Sequence, residues 1–390
     1  MAETDYAPLE PQEDEEDIIS LASSDGFEAA IAASDWTAET IIAQLRKGSI
    51  FLDPSFQRRE AWKVDRKSQF IESLIIGIPT PQIILAERKE KRGQYIVIDG
   101  KQRLLTLRQF AAGHNDATFA PFRLTGLKAR PDLNGRSYDD ISNDLLDEYT
   151  SAFENATIRT VIIKTWPGER FLYEVFLRIN SGSVQLSPQE LRQALHPGPF
   201  NDRLNNFAET SRLLRSVLGT DKPDFRMRDN ELVIRFLAFH MFFQKYRGNL
   251  KGILDETTKI LNRNWASIEV QVDNALFLLE QSIIVTSEIF GENDRFKRWN
   301  GQSFESRINR AVFDVMTYYF TDLGIRERAI QEKEQVVAAF QQLCEEEYDF
   351  IRAISETTKS IEAVNTRFGM WGAALGSVLG TQLTIPQIAQ

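Results

Sequence analysis

Residues 95–110 read YIVIDGKQRLLTLRQF, and the rest of the chain is placed relative to them. Tyr95, Ile96, Val97 and Ile98 form a β-prone run short enough for a buried strand. Asp99 and Gly100 break that run with a turn pair. From Lys101 onward Leu104, Leu105, Leu107, Phe110 and Ala111 recur at helical spacing, and Gly113 is a suitable stop. The cluster Asp99, Lys101, Gln102, Arg103 therefore lies where a strand ends and a helix begins. A helix start has free backbone N–H groups that suit an anion, and this one adds two cations and an amide. The plainer alternative is a solvated turn that merely starts a helix.

Working outward, the 390 residues suffice for two domains, and 42% hydrophobic content with 26 Phe supplies material for their cores. No run approaches the roughly 20 apolar residues that span a bilayer. The start, MAETDYAPLEPQEDEED, lacks the basic-then-apolar pattern of a secretory signal. The single cysteine, Cys344, excludes an internal disulfide framework and fits a reducing compartment. These features give the expectation of a cytoplasmic protein with no membrane partner. With only three histidines (His114, His196, His240) beside that cysteine, a structural zinc site is not expected either.

The net charge of −10 is unevenly spread. Residues 1–45 hold twelve Asp or Glu and no Lys or Arg, whereas the other 345 hold 46 basic and 44 acidic side chains. The body is near neutral, which neither announces nor excludes nucleic-acid binding. Residues 1–33 are expected to be an acidic, disordered or loosely attached tail.

Along the chain, 36–47 reads as a short helix capped by Thr37, and 50–52 as a short strand. The loop after it carries Gln57, Arg58 and Arg59. A helix is predicted over 64–76, a strand over 82–87, and a hairpin through 88–93 back to the opening strand. A strand is predicted over 122–127, a helix from Ser137 to about Phe153, and a β-branched strand over 157–166. A helix over 170–179 ends in Asn180, Ser181 and Gly182. Ser187, Pro188, Gln189 and Glu190 then form a capping box with Pro at the first helical position. From about residue 200 long amphipathic segments dominate, namely 231–246, 268–290, 304–323, 327–350 and 359–379. The chain thus reads as an α+β domain over 34–199 followed by an all-helical domain over 200–390.

Three polar clusters recur at element edges in the first 200 residues: Gln57-Arg58-Arg59, Asp99 to Arg103, and Arg178 to Gly182 with Glu190 and Arg192. Arginines around a helix start suit a triphosphate, because guanidinium forks match phosphate oxygens in pairs. A lone carboxylate such as Asp99 would hold Mg²⁺ together with phosphates, or orient a water. Neither GxxxxGK[ST] nor a GxGxxG after a strand is present. His196 and His240 read as structural residues.

The order FQR…W…GIP.P…IDGKQR.LTL..F…RINSG…L.PQELR resembles the DGQQR-domain family. These are the ParB/sulfiredoxin-like N-terminal domains of GmrSD-type and SspE-type bacterial defence proteins. The resemblance covers about residues 35–200 and implies a small mixed sheet with helices, followed by the helical domain. It implies an antiphage or restriction role, with nucleoside triphosphate (GTP, CTP, UTP or ATP) bound and hydrolysed with Mg²⁺. Asp99, Gln102 and Arg103 would be the catalytic residues, with Asp99 on the metal. Gln57, Arg58, Gly100, Lys101, Arg103, Arg178 and Asn180 would hold the nucleotide. Partners would be modified or phage DNA, a separate nuclease, and further copies of the chain. The alternatives are a non-catalytic nucleotide or DNA-phosphate sensor and a weak ParB-like DNA nickase. Two departures stand out. Lys101 occupies a position where the family usually has Gln, and no His cluster of an HNH nuclease follows residue 200.

Overall fold

The computed structural model describes residues 29–52, 61–113, 116, 118–143, 147–179, 187–356 and 358–388. These fall into two compact units that part between Leu195 and His196.

The first unit is built on a four-stranded mixed sheet in the order β1-β4-β2-β3. Its strands are β1 (Ala30–Thr37), β2 (Ile83–Glu87), β3 (Tyr95–Asp99) and β4 (Thr157–Thr165). β4 runs antiparallel to β1 and parallel to β2, while β2 and β3 form the expected antiparallel hairpin. Helices α1 (Ala38–Arg46), α2 (Val64–Ile75), α3 (Lys101–Phe110), α4 (Tyr138–Asn143), α5 (Asp147–Asn155), α6 (Glu169–Ile179) and α7 (Pro188–Leu195) complete it. Alternation decides which face each strand residue serves. Ile84, Ala86, Ile96, Ile98 and Ile163 form one core with Leu172, Tyr173 and Phe176 of α6 and Leu191 of α7. Trp166 closes that core, donating its indole N–H to the Glu87 carbonyl at 2.9 Å. Ile83, Leu85 and Ile162, on the other face, are also buried.

Several expectations are corrected here. The segment expected to be a tail as far as residue 33 is already strand at Ala30, and 36–37 finish that strand rather than start a helix. Thr37 does cap the helix that follows, its hydroxyl accepting from the Thr40 N–H at 3.1 Å. The predicted strand over 122–127 is irregular chain; its only ladder-like bonds are Leu124 with Gly135 and Arg136. The helix from Ser137 is divided into α4 and α5, and of 50–52 only Ile50 bridges, to Tyr95.

The second unit carries α8 (Pro199–Thr210), α9 (Arg212–Leu218), α10 (Arg228–Phe242), α11 (Leu250–Arg263) and α12 (Trp265–Phe290). A hairpin follows, β5 (Lys297–Trp299) with β6 (Phe304–Ile308), so this half is not purely helical. The predicted 304–323 helix loses its first turns to β6 and becomes α13 (Arg310–Tyr319). The long 327–350 segment is broken into α14 (Leu323–Gln331), α15 (Lys333–Glu346) and α16 (Tyr348–Ser355) before α17 (Ile361–Val378). One continuous apolar core runs through the unit, with Trp371 and several phenylalanines fully buried. His240 belongs to this packing: it stacks on Phe236 at 5.1 Å, and burial lowers its pKa.

Inside that core sits a charged centre. Arg235 grips Asp314 with two N–H···O bonds of 3.1 and 2.6 Å, and the buried Arg367 approaches the same carboxylate at 3.4 Å. Removing one partner of such a group leaves an uncompensated buried charge. Asp314→Ala strands two arginines and is expected to cost about 3–5 kcal/mol in denaturant or thermal unfolding. Lys245→Ala, which removes an exposed pair with Glu256, should cost less than about 1 kcal/mol. Equal losses in the two variants would show that the charged centre does not hold this unit together.

Candidate phosphate-binding junction

Asp99 ends β3, Gly100 turns the chain, and Lys101 is the first residue of α3. Gly100 has φ +97°, a left-handed conformation that glycine adopts without steric cost. It is also packed: a Cβ there would lie 3.0 Å from Ile83 Cγ1 and 3.3 Å from an Arg103 Nη atom. Among the described residues no side-chain cap bonds this helix start, whose first-turn N–H groups point away from the helix body.

The side chains are arranged by charge. Arg103 donates to the Asp99 carboxylate at 2.8 Å and to the Gln82 carbonyl at 3.1 Å. Lys101, only 5% exposed, reaches the carboxylate of Glu190 on α7, which is only 4% exposed. The other oxygen of Glu190 accepts the Ser187 N–H at 2.6 Å, and the Glu190 N–H returns a bond to the Ser187 hydroxyl at 3.1 Å. The capping box read from the sequence is therefore present, and its carboxylate also serves Lys101. Two polar atoms at the junction, Gln102 Oε1 and Arg103 Nε, are buried with no hydrogen-bond partner among the described residues.

Of the residues singled out from the sequence, the structure brings Asp99, Gly100, Lys101, Gln102 and Arg103 together on one turn, with Glu190 beside them. Arg178, at the end of α6, is 82% exposed and stands 3.5 Å from Glu174, one turn back. Gln57, Arg58 and Asn180 lie outside the described residues. Arg192 is fully buried and donates to Gln189 within its own helix at 2.5 Å. Sequence reasoning missed the Lys101–Glu190 pair and the Gln82 carbonyl. No periodic signal links residues 89 positions apart, although an unmatched lysine in an apolar helix start asks for an acid. Among the described residues no three His, Cys, Asp or Glu gather as a metal cluster, and no helix is long and apolar enough to cross a membrane.

Residues 39–197 match the family model described as GmrSD restriction endonuclease, N-terminal domain. This part of the chain is similar to a GmrSD-type N-terminal domain. The domain match gives the protein a restriction or defence setting. No curated protein and no solved structure matches the chain.

The pair across α3 and α7 is open to direct measurement. Lys101→Met leaves the buried Glu190 carboxylate without its cation and is expected to destabilise the first unit by about 3–5 kcal/mol. Adding Glu190→Gln should recover a large part of that loss, so a double-mutant cycle reports a coupling of at least about 1 kcal/mol. Additive losses would mean that the two side chains act independently.

Proposed function

We propose that the chain is a nucleotide-dependent component of a restriction or defence system, whose first unit binds a nucleoside triphosphate at the 99–103 junction and hydrolyses it slowly with Mg²⁺. The observation that carries this reading is the uncapped start of α3, flanked by Asp99 and Arg103 and turned by a glycine too tightly packed for a side chain. The N–H groups of a helix start and the positive end of its dipole favour phosphate oxygens. Arg103 adds a guanidinium whose buried Nε–H has no partner among the described residues, and guanidinium forks match phosphate oxygens in pairs.

The donor set fits Mg²⁺ in one way. Asp99 is a single carboxylate, 18% exposed, and Mg²⁺ takes one or two carboxylates and completes its shell with phosphates and water. Held by Asp99, the ion would neutralise charge on the bridging phosphates. The protein's own part is to orient: Arg103 fixes the Asp99 carboxylate, and the first turn of α3 fixes the phosphates. A phosphate that reaches Lys101 shares its ammonium with Glu190. The base, among GTP, CTP, UTP and ATP, would be chosen by residues outside this junction. The second unit would pass the nucleotide state to DNA, to a separate nuclease or to another copy.

A sensor that binds without turnover is the second reading. Its support is that both cations of the junction already have carboxylate partners, so a ligand would exchange partners at a preformed site. Phosphate release is measured with each of the four nucleotides and Mg²⁺, for the wild type, Asp99→Asn and Arg103→Ala. Each substitution should lower release at least tenfold, about 1.4 kcal/mol in the barrier. Equal release from all three proteins would sink the site. Tight binding by calorimetry without release, weakened by Arg103→Ala, selects the sensor.

A further inference from the structure

The second unit holds a cavity of about 470 Å³ that its core packing leaves open. The walls come from the ends of α10 and α13, the start of α14 and the chain at 381–384. That last wall is firmly placed. The Thr381 N–H donates to the Gly376 carbonyl at 3.0 Å, and Asn365 of α17 holds Ile388 through bonds of 2.9 and 3.1 Å. Gly376 lets the segment lie against α17, since a Cβ there would meet the Thr381 carbonyl oxygen at 2.8 Å. Pockets that take small molecules enclose roughly 300–1,000 Å³, so the size is sufficient.

Some polar groups of the lining are spent on the fold. The Tyr319 hydroxyl donates to the Phe368 carbonyl at 2.8 Å, and the Thr321 hydroxyl to the Tyr318 carbonyl at 2.7 Å. Three others are not. The Tyr318 hydroxyl, the His240 ring nitrogens and the Arg328 guanidinium have no hydrogen-bond or ion-pair partner among the described residues. Burial alone lowers the pKa of His240 and raises that of Tyr318, so both are neutral near pH 7. Each then has one proton to donate and a lone pair to accept with. Arg328 stays charged, and its planar fork matches the paired oxygens of a carboxylate or phosphate. The acid of the lining, Asp322, caps α14 by accepting the Ile325 N–H at 2.9 Å. With one cation and one carboxylate in the wall, a polyphosphate is disfavoured and a ligand with a single oxyanion is not.

We propose that this cavity binds a small polar molecule with one oxyanion, a carboxylate or a phosphomonoester, paired with Arg328 and hydrogen-bonded by Tyr318 and His240. The site is independent of the nucleotide reading and holds or fails without it.

The test uses full-length protein and nitrogen-labelled histidine. The chain has three histidines, so the His240 ring signals are those that vanish in His240→Gln. Benzoate and phenyl phosphate are the probes, titrated at constant ionic strength. At least one should shift these signals saturably, with half-saturation near about 1 mM or below. Which of the two does so separates carboxylate from phosphate recognition. Arg328→Gln should weaken that probe at least about tenfold, and the residue is exposed, so the fold is not at stake. Tyr318→Phe should weaken it about threefold to tenfold, the loss of one hydrogen bond. Arg212→Gln, an exposed arginine outside the cavity lining, should leave it unchanged. No saturable shift with either probe, or an affinity untouched by Arg328→Gln, would overturn the proposal.

Discussion

The junction of the first unit depends on one buried ion pair. Lys101 is the first residue of α3 and Glu190 is in the first turn of α7, so their contact ties two helix starts together across 89 residues of sequence. Burying both charges carries a large desolvation cost that their attraction must offset. The arrangement limits that cost, because Glu190 divides its oxygens between the Lys101 ammonium and the Ser187 N–H. The same carboxylate also faces the positive end of its own helix, where a negative charge is favoured. Its value is in geometry more than in raw stability: the contact fixes where α7 begins relative to the DGKQR turn.

This pair also gives a reason for the least expected residue in the motif. The resembled family usually has Gln where this chain has Lys101. A neutral amide there would need only hydrogen bonds, whereas a buried lysine needs an anion. Glu190 supplies it from a capping box that would otherwise need that carboxylate only for the helix start. Lys101 is thus matched by the capping-box carboxylate.

What was legible in the sequence follows from how local each signal is. The hairpin, the DGKQR turn and the Ser187 capping box are each written within a few residues, and each was read at nearly its observed position. β1 was not, because the only apolar run in Ala30 to Thr37 is four residues long and mostly alanine, with no alternation after it, and most of the strand's residues are exposed. That strand owes its place to pairing with β4, the β-branched strand that could be read. The β5–β6 hairpin was hidden by an amphipathic segment whose period also fits a helix. The breaks between α14, α15 and α16 carry no Pro or Gly, so nothing local announced them. The Asp99–Arg103 pair, one turn apart, was within reach of sequence reasoning; the Lys101–Glu190 pair was not, since an ion pair between distant residues leaves no periodic trace.

The charge balance at the junction bears on how a phosphate ligand would act there. Arg103 is matched by Asp99 and Lys101 by Glu190, so among the described residues the two cations of the turn are each paired with a carboxylate. A triphosphate brings several negative charges, and at such a balanced site it must arrive with a cation or loosen an internal pair. On the nucleotide-dependent reading these two routes have different consequences. Magnesium on Asp99 leaves both helix starts as they are and favours chemistry. Competition for Lys101 frees Glu190 on one side only, since its bond to the Ser187 N–H remains, and so loosens α3 from α7 while α7 keeps its cap. On that reading, the residues that would position the phosphates are also the ones that would report their presence.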